Sequence, residues 1–212
     1  MTVKISRVYD SYTSADAAAR ALEAAGVPHD DISILASNAD GWYDAEHAKD
    51  KNTVDPRHDK DRDGKDDRVE GAAAGGGIGA VAGGAIGALT GLGLIAIPGV
   101  GPVVAAGWLA ATVAGAVTGG AAGGIVGALA ETGVSKENAP LYTEALRRGG
   151  AVVTARVADA DRAKYESVLA NNAIDFTTRE AAYREGGWKG YAPDAVPYDR
   201  DTVARERELY RR

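Results

Sequence analysis

Residues 3–9, Val-Lys-Ile-Ser-Arg-Val-Tyr, alternate apolar and polar side chains, the period of a half-buried strand. Thr13 and Ser14 offer an N-cap for a helix over residues 15–25, with Ala18, Ala21, Leu22 and Ala25 as its apolar stripe. Gly26 is placed to end that helix, and Pro28 blocks its continuation. Residues 32–36, Ile-Ser-Ile-Leu-Ala, read as a second strand. The chain therefore opens with a predicted β-α-β unit.

A matching pattern returns far downstream. Residues 135–148 place Leu141, Tyr142, Ala145 and Leu146 on one helical side, and Gly149-Gly150 ends the run. Pro140 leaves the start of this helix open. Residues 151–157 alternate as a strand. Asp159 or Asp161 caps a helix to residue 170, with Ala163, Tyr165, Val168 and Leu169 as its buried candidates. Asn171-Asn172 ends that helix, and residues 174–176 form a short last strand. Two split βαβ halves predict an α+β fold, a ferredoxin-like βαβ-(α)βαβ sandwich.

Between the halves the polar pattern vanishes. From Gly71 to Ala130 no side chain is charged, and small residues recur every fourth position. One row is Gly71, Gly75, Gly79, Gly83, Gly87, Gly91; the other is Gly107, Ala111, Gly115, Gly119, Gly123, Gly127. Reflection about Gly99 superimposes the two rows. A turn at Ile97-Pro98-Gly99-Val100-Gly101-Pro102 makes them facing surfaces of an antiparallel glycine-zipper helical hairpin inserted into the sandwich. The expected organisation is 1–37, first half of the sandwich; 38–70, acidic connector; 71–130, hairpin; 131–178, second half; and 179–212, polar tail. Tyr183, Trp188, Tyr191 and Tyr198 recur in the tail as anchors for docking on its own or a neighbouring subunit.

Such a hairpin needs partners. Its arms, 71–97 and 103–130, hold 10 and 7 glycines. Relative to alanine that composition opposes helix by about 15 kcal/mol. Close backbone approach offsets the penalty only inside a packed assembly. Gly76, Gly84, Gly120 and Gly124 lie off the facing rows and imply a second neighbour, for which self-association is the economical answer. Each arm would be about 40 Å long, enough to cross a hydrocarbon core of about 30 Å. Leu89, Leu92, Leu94, Ile95 and Ile97, with Val103, Val104 and Leu109, cluster near the turn, where Trp108 fits an interfacial anchor. Both arms would enter from the cytoplasmic side. Hairpins of several subunits burying one another in a soluble assembly fit the same pattern.

Composition narrows the function classes. A net charge of -6 without a concentrated basic face argues against nucleic acid as a partner. The absence of cysteine excludes disulfides, thiolate metal sites and cysteine nucleophiles. The N-terminal residues Met1-Thr2-Val3-Lys4-Ile5-Ser6-Arg7 lack a secretory apolar run, so the expected location is cytoplasmic, with or without association at the inner membrane.

The strand at 31–36 (Asp-Ile-Ser-Ile-Leu-Ala), Glu70-Gly-Ala-Ala, Ile97-Pro-Gly-Val-Gly-Pro and Leu146-Arg-Arg-Gly-Gly-Ala-Val-Val together resemble the bacterial general-stress (heat-induced stress) protein family. The resemblance spans residues 1–178. It implies a glycine-zipper domain with a stress-linked role and carries over no catalytic residue.

One chemical motif stands out. Asp59, Asp61, Asp63, Gly64, Lys65, Asp67 and Glu70 match a calcium-loop pattern in which spaced carboxylates wrap the ion and the Lys65 carbonyl adds a ligand. Asp66 stands where an aliphatic residue usually packs, and Pro56 forbids a long entering helix. A solvated charge run fits the same residues, since the stretch 38–70 holds 11 acidic and 7 basic side chains. Gly77-Ile-Gly79-Ala-Val-Ala82 is no dinucleotide loop, because it follows a charged connector instead of a strand. His29, His47 and His58 lack ligand spacing, and no cofactor or catalytic set emerges. The pattern thus points to a non-enzymatic, self-assembling stress protein, in or against the membrane, or to a soluble homo-oligomeric scaffold tuned by calcium.

Overall fold

A computed structural model describes residues 1–43, 93–118 and 124–210. Among them the fold is mixed α+β, built on one five-stranded antiparallel sheet. The strands are β1 (Thr2–Tyr9), β2 (Ile32–Ser37), β3 (Gly93–Ile97), β4 (Gly101–Ala106) and β5 (Ala151–Ala158), in the order β1-β5-β2-β4-β3. The described helices are α1 (Tyr12–Ala24), α2 (Leu109–Thr118), α3 (Gly124–Ala130), α4 (Ala139–Arg147), α5 (Arg162–Leu169), α6 (Phe176–Glu185) and α7 (Arg200–Leu209).

The sheet is covered on both faces. Ile5, Tyr9, Ile32, Ile34, Val153 and Ala155 pack under α1 and α5 with Leu22, Tyr165 and Leu169. Val8, Leu35, Val103, Ala105 and Val152 face the opposite way, onto Leu109, Val113, Leu129, Leu141 and Leu146 of α2, α3 and α4. Double coverage explains why all of β2 is buried, including Ser33 and Ser37. Buried hydroxyls then need partners. Ser6 Oγ donates to the Thr132 carbonyl at 2.9 Å and shares a 2.9 Å bond with Thr154 Oγ1, while Ser33 Oγ accepts from the Leu109 amide at 3.2 Å.

The β-α-β opening forms as expected, with β5 slotted between β1 and β2. The caps shift slightly. Ser11, not Thr13 or Ser14, caps α1, its hydroxyl accepting from the Ser14 amide at 3.2 Å. Gly26 ends the helix at φ +105°. The downstream helix starts at Ala139 because Pro140 is tolerated only in a first turn.

Two elements differ from the sequence pattern. The turn at 97–101 is present, but its flanks are strands β3 and β4 instead of helical arms. β4 pairs with β2 from Ile34↔Ala106 to Ser37↔Val103, so Ile95, Ile97, Val103 and Val104 extend the sheet instead of ending helical arms. Their β-branched side chains suit the pleat, and an open edge on β2 supplies the partner. No described helix is long and apolar enough to cross a membrane.

The second difference is the last strand, which does not form. Asn172 turns the chain at φ +57°, and Asp175 accepts from the Thr177 amide at 2.9 Å, so a helix begins at Phe176. The segment still touches the sheet edge, the Ile174 amide donating to the Val8 carbonyl of β1 at 2.7 Å.

Candidate functional site

The segment after Glu185 returns to the sheet and docks on its own chain. Its seat is built from backbone without side chains. Gly99 and Gly101 in the β3–β4 turn have φ of +70° and +108°, and Gly149 after α4 has φ +93°. A Cβ on Gly99 would run into the Ala192 carbonyl, one on Gly101 would sit 2.9 Å from Pro197 Cβ, and one on Gly149 would strike Val203 Cγ1. Only glycine satisfies both the left-handed backbone and the close approach. These glycines belong to the Ile97–Pro102 and Leu146–Val153 motifs, which the sequence marked only as a turn and a helix end.

Charge then clasps the tail. Arg148 is 7% exposed and bonds Glu144 Oε1 through Nε and Glu206 Oε2 through Nη1, both at 2.7 Å. Burial by itself would lower the Arg148 pKa, but hydrogen bonds and charge from Glu144 and Glu206 outweigh it and raise it above the ordinary arginine value. Arg147 donates to the Val196 carbonyl at 3.0 Å and lies 4.3 Å from the Tyr198 ring centre. From α7, Arg207 reaches Asp40 at 2.7 Å and the Gly149 carbonyl at 2.8 Å. Arg179 of α6 pairs with Asp10 at 2.6 Å and covers the Tyr210 ring at 3.9 Å. The aromatic anchors anticipated in the tail are engaged: Tyr183 is buried beneath Arg148, and the Tyr191 hydroxyl donates to the Pro98 carbonyl at 2.9 Å.

The self-assembly residues divide. Gly71, Gly75, Gly79, Gly83, Gly87, Gly91, Gly119 and Gly123 lie outside the described residues. Gly107 does not face a second arm. It has φ +78°, and a Cβ there would hit the Ile32 carbonyl, so it belongs to the packing of β4 against β2. Gly115 differs: it is exposed on α2, a Cβ there would meet no atom of the described residues within 4 Å, and Ala111 one turn earlier is exposed too. Gly127 is half-buried on α3. Trp108, expected as an interfacial anchor, lies beside two cations of the sheet. Lys4 Nζ and the Arg156 guanidinium, from β1 and β5, each lie 5.1 Å from its ring centre.

The calcium-loop residues Asp59, Asp61, Asp63, Lys65, Asp67 and Glu70 also lie outside the described residues. Among the described residues no three His, Asp or Glu side chains cluster as a metal site. His29 pairs with Glu23 at 2.6 Å on the surface.

Comparison with known proteins finds no matching family model, no matching curated protein and no matching solved structure.

Proposed function

We propose that this protein is a non-enzymatic, self-associating structural protein. In this reading a ferredoxin-like half, β1-α1-β2 with β5-α5, carries α2 of the uncharged 71–130 segment as its assembly surface. The observation that supports it best is the outer face of α2. This ten-residue helix has no charge, and its row of small residues at Ala111 and Gly115 is exposed, with no described residue within 4 Å above the glycine. A charge-free surface whose smallest residues point outward suits close helix–helix approach by a sister subunit.

A stress-linked role belongs to the same proposal and rests on the resemblance at residues 31–36, 70–73, 97–102 and 146–153. Contact with the cytoplasmic face of a membrane is the second reading, favoured by sixty residues without charge. Calcium tuning through Asp59–Glu70 rests on spacing alone.

Gly115→Leu is the test. The new Cβ meets no described residue within 4 Å and the change gains about 1 kcal/mol in helix propensity, so the fold is expected to persist. Detergent-free sedimentation should show an oligomer for the parent chain and smaller species for the variant. An unchanged mass distribution would end the proposal. Retention on vesicles after an alkaline wash, with a monomer in solution, would select the membrane reading.

A further inference from the structure

The tail docks almost without an apolar core of its own. Across residues 186–210 only Val203 is buried, while Val196 and Leu209 stand exposed to solvent. Apolar burial is the usual source of cohesion between packed elements. Here it is confined to one valine and to the partly covered rings of Trp188, Tyr191 and Tyr210. A segment attached in this way opens at lower free energy than the sheet beneath it.

Charge supplies most of the remaining attachment. Two ion pairs cross from tail to body, Arg148 to Glu206 and Arg207 to Asp40, each at 2.7 Å. Arg207 also donates to the Gly149 carbonyl at 2.8 Å, and Arg147 donates to the Val196 carbonyl at 3.0 Å. The guanidinium groups of Arg147 and Arg179 cover the Tyr198 and Tyr210 rings at 4.3 and 3.9 Å. The Arg207–Asp40 pair keeps contact with solvent, its side chains 28% and 21% exposed, so dissolved salt can screen it.

The chain also provides a pivot. Tyr183 is buried beneath Arg148 and holds α6 in place. Just beyond, Gly187 and Gly190 have φ of +89° and +132°, and a Cβ on either would meet no described residue within 4 Å. Torsions can change there without a collision. α7 has ten residues, too few for a stable isolated helix in water, so its helical hydrogen bonds report whether it is docked.

We infer that residues 188–210 form a charge-latched strap that swings off at Gly187–Gly190 while the sheet stays folded, and that rising ionic strength drives its release. Release uncovers the β3–β4 turn, the end of α4 and Gly149. The inference is independent of self-association, because the latch contacts lie on α4, Gly149, α6 and Asp40 and none lies on α2.

Hydrogen exchange of the full-length protein, read by mass spectrometry at about 0.05 M and about 1 M NaCl, tests the strap. At low salt the α7 amides should be protected, but at least about a hundredfold less than those of β5. At high salt they should exchange about tenfold faster while β5 is unchanged. Arg207→Gln should speed α7 exchange about tenfold at low salt and reduce its response to salt, again sparing β5. Asp40→Asn, which leaves the tail sequence intact, should act in the same direction. Exchange of α7 in step with β5 would overturn the inference, since tail and sheet would then open as one unit. So would α7 amides unprotected at low salt, or a salt response that is absent in the parent chain or undiminished in both variants.

Discussion

Arg148, capping the C-terminus of α4, donates to Glu206 on α7 at 2.7 Å, joining residues 58 positions apart. The same guanidinium holds Glu144, whose side chain is only 5% exposed. Arg148→Met strands that carboxylate with Arg147 alone, and the expected loss is about 3 kcal/mol in denaturant unfolding. Glu206→Gln keeps an acceptor and should cost about 1 kcal/mol. A smaller loss in Arg148→Met than in Glu206→Gln would show that the tail, not Glu144, dictates the need for this arginine.

The glycine seat can be tested by restoring space. Gly149→Ala forces a methyl toward Val203 and an alanine into φ +93°, so it should destabilise by more than about 1 kcal/mol. Adding Val203→Ala removes the collision but not the backbone strain. The double variant should therefore recover part of the loss, with hydrogen exchange over 186–209 returning toward parent values. Full recovery, or none, would contradict a seat made of both effects.

Buried hydroxyls pin β1 to β5. Ser6→Ala leaves the Thr154 hydroxyl and the Thr132 carbonyl without this partner and should cost about 2 kcal/mol. Thr154→Val keeps shape and leaves Ser6 bonded to Thr132, so about 1 kcal/mol is expected. Equal losses in thermal or chemical unfolding would show that packing, not bonding, sets the choice of side chain.

Stability should fall in alkali. Burial raises the phenol pKa of Tyr9, whose hydroxyl donates to the Leu169 carbonyl at 2.6 Å, and also that of Tyr183. A raised folded-state pKa means the unfolded chain ionises first, at about pH 10. The contribution is complete below that pH and is lost as pH rises toward the folded values. Unfolding free energy measured from pH 8 to 12 should decline beyond about pH 10, and less steeply in Tyr9→Phe. Parallel curves for the parent chain and Tyr9→Phe would refute the assignment.

Much of the tail was readable as a set of anchors, since Tyr183, Trp188, Tyr191 and Tyr198 stand out in a polar stretch whose other large apolar groups are Val196, Val203, Leu209 and Tyr210. Their partners were not. Gly99, Gly101 and Gly149 read locally as turn residues, and only the approach of Ala192, Pro197 and Val203 reveals a second requirement on them.

By itself the sequence determined β1, α1, β2 and β5, where alternation or a helical stripe is bounded by Gly26, Gly149 and Gly150, while the exact cap of α1 was set by Ser11. It also determined the break at 97–102, because proline and glycine act locally. The choice between helix and strand around that break was decided only in three dimensions. An apolar run with no polar alternation has no face to mark, so residues 93–106 fit either state until β2 offered an edge to β4. The same holds at 174–176, where an alternating triplet became a helix start once Asp175 capped Thr177. Strand formation needs a neighbour with a free row of hydrogen bonds, and that neighbour is remote in the chain.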